Sequence, residues 1–136
     1  MKRFLDTNVL IYAVDTRDEI KRAKAISIIE AALLGYSPSA ISVQTLSEFA
    51  NVALSKIKLS LDEVMGFVAS YQDIPTVIPD SDLVLRGLEI KRRYQLQFYD
   101  ALMVSAAERA GCDEIYTEDL NDGQLYCGIK AVNPFK

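Results

Sequence analysis

Four carboxylates in this sequence stand where chemistry is easier to explain than structure. Asp6 follows Phe4-Leu5, at the point where a short apolar strand stops and a helix begins. Glu48 lies early in a mostly apolar helical stretch and is the only acid between Glu30 and Asp62. Asp100 opens the apolar run Ala101-Leu102-Met103-Val104-Ser105-Ala106-Ala107, and Asp119 follows Ile115-Tyr116-Thr117. Each also has a plainer role: a helix N-cap for Asp6, a solvated face for Glu48, a first-turn charge for Asp100, a polar turn for Asp119. Gathered at one crevice, carboxylates repel one another unless protons or cations neutralise them. Hard divalent cations prefer oxygen ligands, which points to magnesium or manganese. Such an ion can activate a water and stabilise the charge on phosphate oxygens in an in-line displacement.

The composition narrows the alternatives. There is no histidine, which removes Ser-His-Asp and Cys-His catalysis, His-zinc sites and His general bases together. Fifteen basic and nineteen acidic residues give a net charge of −4, against a passive nucleic-acid binder that relies on bulk positive charge. Four acids account for the whole excess. Cys112 and Cys127 are too few for a disulfide framework and lack metal-ligand spacing; Cys112 is expected to pack just after a helix end. No apolar run approaches the ~20 residues of a membrane span, and Asp6 comes too soon after Met1 for a signal-peptide core. The expectation is a cytoplasmic protein with no membrane contact, folded as one domain over 1–136.

The elements that must position the acids alternate in type. A short helix is expected after Thr7-Asn8, then an amphipathic helix from Glu19 to Leu34 with Ile20, Ala23, Ile26, Ile29 or Ala32, and Leu33 on one side. Ala40-Ile41-Ser42-Val43 reads as a buried strand. A helix follows from Gln44, with Leu46, Ala50, Ala53, Leu54 and Ile57 in its apolar stripe, away from Phe49 and Val52. Ser60-Leu61-Asp62-Glu63 is a capping box for a helix to about Tyr71. Pro75 to Pro79 encloses a strand, and Asp80 caps a helix through Leu83, Leu85, Leu88, Ile90 and Tyr94. A buried helix from Phe98 to Ala110 ends at Gly111, and strands at Glu114 to Thr117 and Lys130 to Val132 complete the chain. Five short strands separated mostly by helices predict a three-layer α/β/α sandwich around a five-stranded parallel sheet.

With the acids placed on those elements, the sequence resembles the PIN domain family, and within it the VapC-type toxin ribonucleases of toxin-antitoxin pairs. The resemblance is carried in order by Phe4-Leu5-Asp6-Thr7-Asn8-Val9-Leu10, Leu46-Ser47-Glu48-Phe49, Phe98-Tyr99-Asp100-Ala101-Leu102, Tyr116-Thr117-Glu118-Asp119-Leu120 and Val132-Asn133-Pro134-Phe135. It implies magnesium- or manganese-dependent hydrolysis of RNA phosphodiesters, with the family's acids on Asp6, Glu48, Asp100 and Asp119. The family's hydroxyl after the fourth strand falls on Thr117, where it places an acid or a water. Asn8 and Asp122 are auxiliary candidates, and Tyr99 stands where many relatives have Trp. A homodimer and a cognate antitoxin that inserts a basic side chain toward the acids are also implied.

Among the basic clusters, Lys91-Arg92-Arg93, seven residues before Asp100, is the candidate phosphate track; exposed helical charge of this kind is otherwise a solvated face. Two other readings compete. One is a PIN-like RNA-binding or scaffold module that does not cut. The other is a phosphoryl-handling α/β domain, against which stands Asp6-Thr7-Asn8 where a hydrolase of that kind carries Asp-x-Asp.

Overall fold

The structure is a computed structural model that describes residues 1–136. Its strands are β1 (Arg3–Leu5), β2 (Ser39–Ser42), β3 (Thr76–Val77), β4 (Glu114–Tyr116), β5 (Leu125–Tyr126) and β6 (Ile129–Val132). The helices are α1 (Thr7–Tyr12), α2 (Glu19–Leu33), α3 (Val43–Ser55), α4 (Leu61–Tyr71), α5 (Ser81–Tyr94) and α6 (Phe98–Arg109). One sheet runs in the order β3-β2-β1-β4-β6-β5, parallel throughout except for β5.

Side chains alternate across the strands, so the sheet feeds two cores. Phe4, Ala40, Ile115 and Ala131 join α5 and α6 on one face, while Leu5 and Ile41 join α1 to α4 on the other. This is the expected α/β/α sandwich. The sheet has six strands and not five, because Leu125–Tyr126 returns against β6 as an antiparallel edge hairpin. Its two-residue turn, Cys127-Gly128, has positive φ at both residues (53° and 79°), the backbone of a tight hairpin turn. A two-residue strand and a turn without the usual Asn-Gly pair leave little trace in sequence.

Other differences concern which helix faces are buried. In α2 the buried residues are Ala25 and Ile29, while Ile20 at the first turn is 73% exposed. In α3 they are Thr45, Phe49 and Ala53, so Phe49 belongs to the core and Leu54 lies at the surface. In α5 they are Leu83, Gly87 and Ile90, with Leu85 and Leu88 outside. In each case the buried stripe includes a small residue (Ala25, Ala53 or Gly87), and large apolar residues on the flank remain outside.

The caps follow expectation. Ser60 and Glu63 form the reciprocal capping box of α4, and the Asp80 carboxylate accepts from the Leu83 amide at 2.9 Å. Helix α6 is buried from Ala101 to Ala107, and Gly111 just beyond it takes φ +69°. Cys112 is buried after that turn, and both cysteines are free thiols. No helix is long and apolar enough to cross a membrane.

Candidate active site

Strands β1, β2 and β3 follow one another to one side, and the chain then crosses to place β4 on the other side of β1. The crevice at the carboxyl ends of β1 and β4 is therefore a topological switch point, where open α/β sheets bind ligands. Asp6 is the first residue beyond β1, and Thr117 and Asp119 lie just beyond β4. Glu48 comes from the second turn of α3 and Asp100 from the first turn of α6. All four acids line one cavity of about 50 Å³, together with Thr7, Ser42, Gln44 and Tyr99.

Asp6 is buried and performs two tasks at once. Its Oδ1 accepts from the Thr7 amide at 2.6 Å and so caps α1, while Oδ2 accepts from the Thr117 hydroxyl at 2.7 Å. Thr117 Oγ1 in turn accepts from the Asp119 amide at 3.0 Å, tying the segment after β4 to the end of β1. Burial, reinforced by the neighbouring Asp119 charge, pushes the Asp6 carboxyl from its ordinary value up to about 7, against the opposing pull of these hydrogen bonds. Asp100 is also raised, by partial burial first and then by the charges of Asp119 and Glu48. The acids therefore act on one another across the cavity.

Glu48 is held by partners that the sequence did not single out. Its Oε2 accepts from the Thr7 hydroxyl and its Oε1 from the Gln44 side-chain amide, both at 2.9 Å. Gln44 stands four residues before Glu48 on the same helix, a spacing that could have flagged it; Thr7 gave no such signal. With Phe49 turned into the core, Glu48 sits at the edge of the buried face, pointing across to α1.

The acidic turn after β4 divides its labour. Asp119 faces the cavity, whereas Glu118 turns away and accepts from Tyr12 and from Lys21, the latter at 2.9 Å. Asp122 lies outside the cavity and accepts from the Asn133 amide at 2.8 Å and from Lys136, so it fastens the carboxyl-terminal segment. Asn8 lines a second depression that reaches Asp6, Glu48 and Asp119 from the α1 and α3 side. Lys91, Arg92 and Arg93 line none of the cavities that contain the acids. The Lys91 ammonium donates to the Leu96 carbonyl at 2.9 Å, and Arg93 lies over the Tyr94 ring.

An all-oxygen donor set, partly desolvated and repelling itself, fits a hard divalent cation. The carboxylates do not close on a common point: no three acidic, cysteine or histidine side chains stand close enough to hold an ion by themselves. That spacing suits an ion that retains several waters and binds one or two carboxylates directly, the usual manner of magnesium.

Residues 3–121 match the family described as PIN domain. The chain belongs to the PIN domain family. Among solved structures it is similar to a toxin-antitoxin complex from Klebsiella pneumoniae, with TM-score 0.71, 22% identity and 97% of each chain covered. It is also similar to the sarcin-ricin loop cleaving toxin VapC20 of Mycobacterium tuberculosis, with TM-score 0.66, 16% identity and 86% and 89% of the two chains covered. A third is VapBC2 of Rickettsia felis bound to a DNA fragment from its promoter, with TM-score 0.65, 15% identity and 96% and 97% covered. At these identities the likeness is one of fold. No curated protein matches the sequence.

Proposed function

We propose that this PIN domain protein is a magnesium- or manganese-dependent endoribonuclease in which Asp6, Glu48, Asp100 and Asp119 hold the cation. The observation that carries this reading is that four acids, from the end of β1, α3, α6 and the segment after β4, line one cavity at the switch point of the sheet. When bound, the ion supplies an activated water and stabilises the charge that develops on the phosphate oxygens.

The chain's own residues prepare that site. Thr7 is the pivot: its amide fixes Asp6 and its hydroxyl fixes Glu48, so the two carboxylates keep a constant relation. Thr117 couples Asp6 to the Asp119 backbone. Asp6 and Glu48 are held by hydrogen bonds, which leaves Asp100 and the exposed Asp119 the freer to meet an incoming ion. Burial holds the Asp6 proton up to about pH 7, and a cation held by this carboxylate would compete with that proton. With no histidine in the chain, proton transfer falls to carboxylates and water.

Similarity to toxin-antitoxin complexes supports, by analogy, a toxin of a type II pair restrained by an antitoxin; the proposal further takes it to be a homodimer in the cytoplasm, folded as one domain over 1–136. The activity is tested by incubating purified protein with structured and unstructured RNAs. Cleavage is expected with Mg²⁺ or Mn²⁺, none with a chelator, and a loss of at least a hundredfold for Asp6→Asn and Asp100→Asn. Tight RNA binding without cutting under any divalent ion would instead support the non-catalytic PIN-like module.

A further inference from the structure

The central cavity, about 50 Å³, admits only a water or two beyond an ion, so a nucleotide passes over it and not into it. Two wider depressions share its acids. One, of about 320 Å³, opens between α1 and α3 and is lined by Asn8, Asn51 and Lys56 along with Asp6, Glu48 and Asp119. The other, of about 450 Å³, opens over the turn from α5 to α6 and is lined by Gln95, Leu96 and Gln97 with Asp100 and Asp119. The three concavities thus share the acids in their linings, with the central cavity common to both wider ones.

The chemistry of the two flanks differs. Lys56 is the one cation lining any of the three concavities, and it takes part in none of the seven ion pairs of the structure. Four carboxylates repel a phosphodiester, so an unpaired ammonium beside them is placed to offset that repulsion for the phosphate next to the scissile one. At the α6 side of the central cavity Tyr99, next to Asp100, lines that cavity yet is 64% exposed. Its ring is braced edge-on by Phe98 at 5.4 Å, which leaves a face for stacking. A single-stranded path is commonly built from such a cation for the backbone and such an aromatic ring for a base.

Resting on the ribonuclease reading, we infer that Lys56 anchors a substrate phosphate on the α3 side of the acids and Tyr99 stacks a substrate base on the α6 side. The strand then crosses the metal site between two fixed points, and the bond presented for cleavage is set by their separation. The Lys91-Arg92-Arg93 run lines none of the three concavities.

The test is steady-state cleavage of a short, unstructured, fluorescein-labelled RNA by the Mn²⁺-loaded protein over a range of salt. Lys56→Ala is expected to raise KM severalfold with kcat unchanged, and to make the slope of log(kcat/KM) against log salt shallower by about 0.7, the mark of one lost phosphate contact on a single strand. Lys56→Arg restores both. Tyr99→Ala is expected to raise KM roughly tenfold without changing the salt slope, and Tyr99→Phe restores it. Circular dichroism and Tm separate these effects from misfolding. If the wild type cleaves and both alanine variants keep its KM, or if the losses fall on kcat with the salt slope unmoved, the inference is overturned while the nuclease reading stands. A wild type that neither cleaves nor binds the RNA overturns both.

Discussion

At the scale of single residues, the site is a set of compromises between folding and function, and Asp6 shows this most clearly. Its carboxylate caps a helix and ties β1 to the segment after β4, yet it is buried beside another acid. Because its folded pKa lies above the unfolded value near 3.8, the folded protein holds this proton more tightly than the unfolded chain does. The contribution to stability is therefore negative with rising pH: no penalty below about pH 4, a growing one through the interval up to about 7, and the full penalty above. Asp6→Asn removes the titration and keeps an oxygen for the Thr7 amide. In the metal-free protein it is expected to stabilise the fold by about 1–3 kcal/mol at pH 8, with the gain fading toward pH 4, as read by urea denaturation across pH. Thr117→Val is expected to act in the opposite direction. It leaves a buried Asp6 oxygen without its donor, at a cost of about 1–3 kcal/mol, and frees the Asp119 segment.

At the scale of elements, positions of acids could be read from sequence because they fall where element types change. Asp6 and Asp119 follow strands, Asp100 opens a helix, and caps such as Ser60 and Asp80 mark the boundaries between. Burial was less legible. Large apolar residues such as Leu85 and Leu88 suggested an inward stripe, but close packing selected Gly87. A Cβ added at Gly87 meets Leu102 Cδ2 at 2.8 Å, so α5 and α6 approach there because glycine permits it. The same pair is joined by the Arg86–Glu108 fork (2.8 and 2.9 Å) and by the Ser105 hydroxyl on the Leu83 carbonyl at 3.0 Å. Gly87→Val is expected to destabilise by about 1–3 kcal/mol through overpacking, measured by the denaturation midpoint. Since α6 carries Asp100, that variant is also expected to lose cleavage activity at temperatures where it remains folded. The partners of Glu48 were illegible for another reason: Thr7 lies forty-one residues away in the chain and meets it only once the layers assemble.

At the scale of the whole molecule, the net charge of −4 equals the formal charge of four carboxylates, so with the four site acids set aside fifteen acidic residues face fifteen basic ones. A cation bound among those four acids would offset the formal excess at the place where a polyanionic substrate must approach. Such binding also makes the fold's stability responsive to that cation. A ligand at a hundred times its dissociation constant stabilises the folded state by about 2.7 kcal/mol. Scanning calorimetry with saturating Mn²⁺ is expected to raise Tm by several degrees at pH 8, and to leave the Tm of an Asp6→Asn, Asp100→Asn double variant almost unchanged. The six-stranded sheet departs from the five strands read in sequence only at its edge, in the Leu125–Tyr126 hairpin, far from the switch point. The order of strands around β1 is what carries the site.

The most direct measurement is a Mn²⁺ titration followed by electron paramagnetic resonance, in which free and bound ions are counted separately. The wild type is predicted to bind Mn²⁺ saturably near neutral pH, with affinity lowered at least tenfold by either Asp6→Asn or Asp100→Asn. Equal binding by the wild type and both variants would contradict the assignment of these carboxylates to a shared metal site.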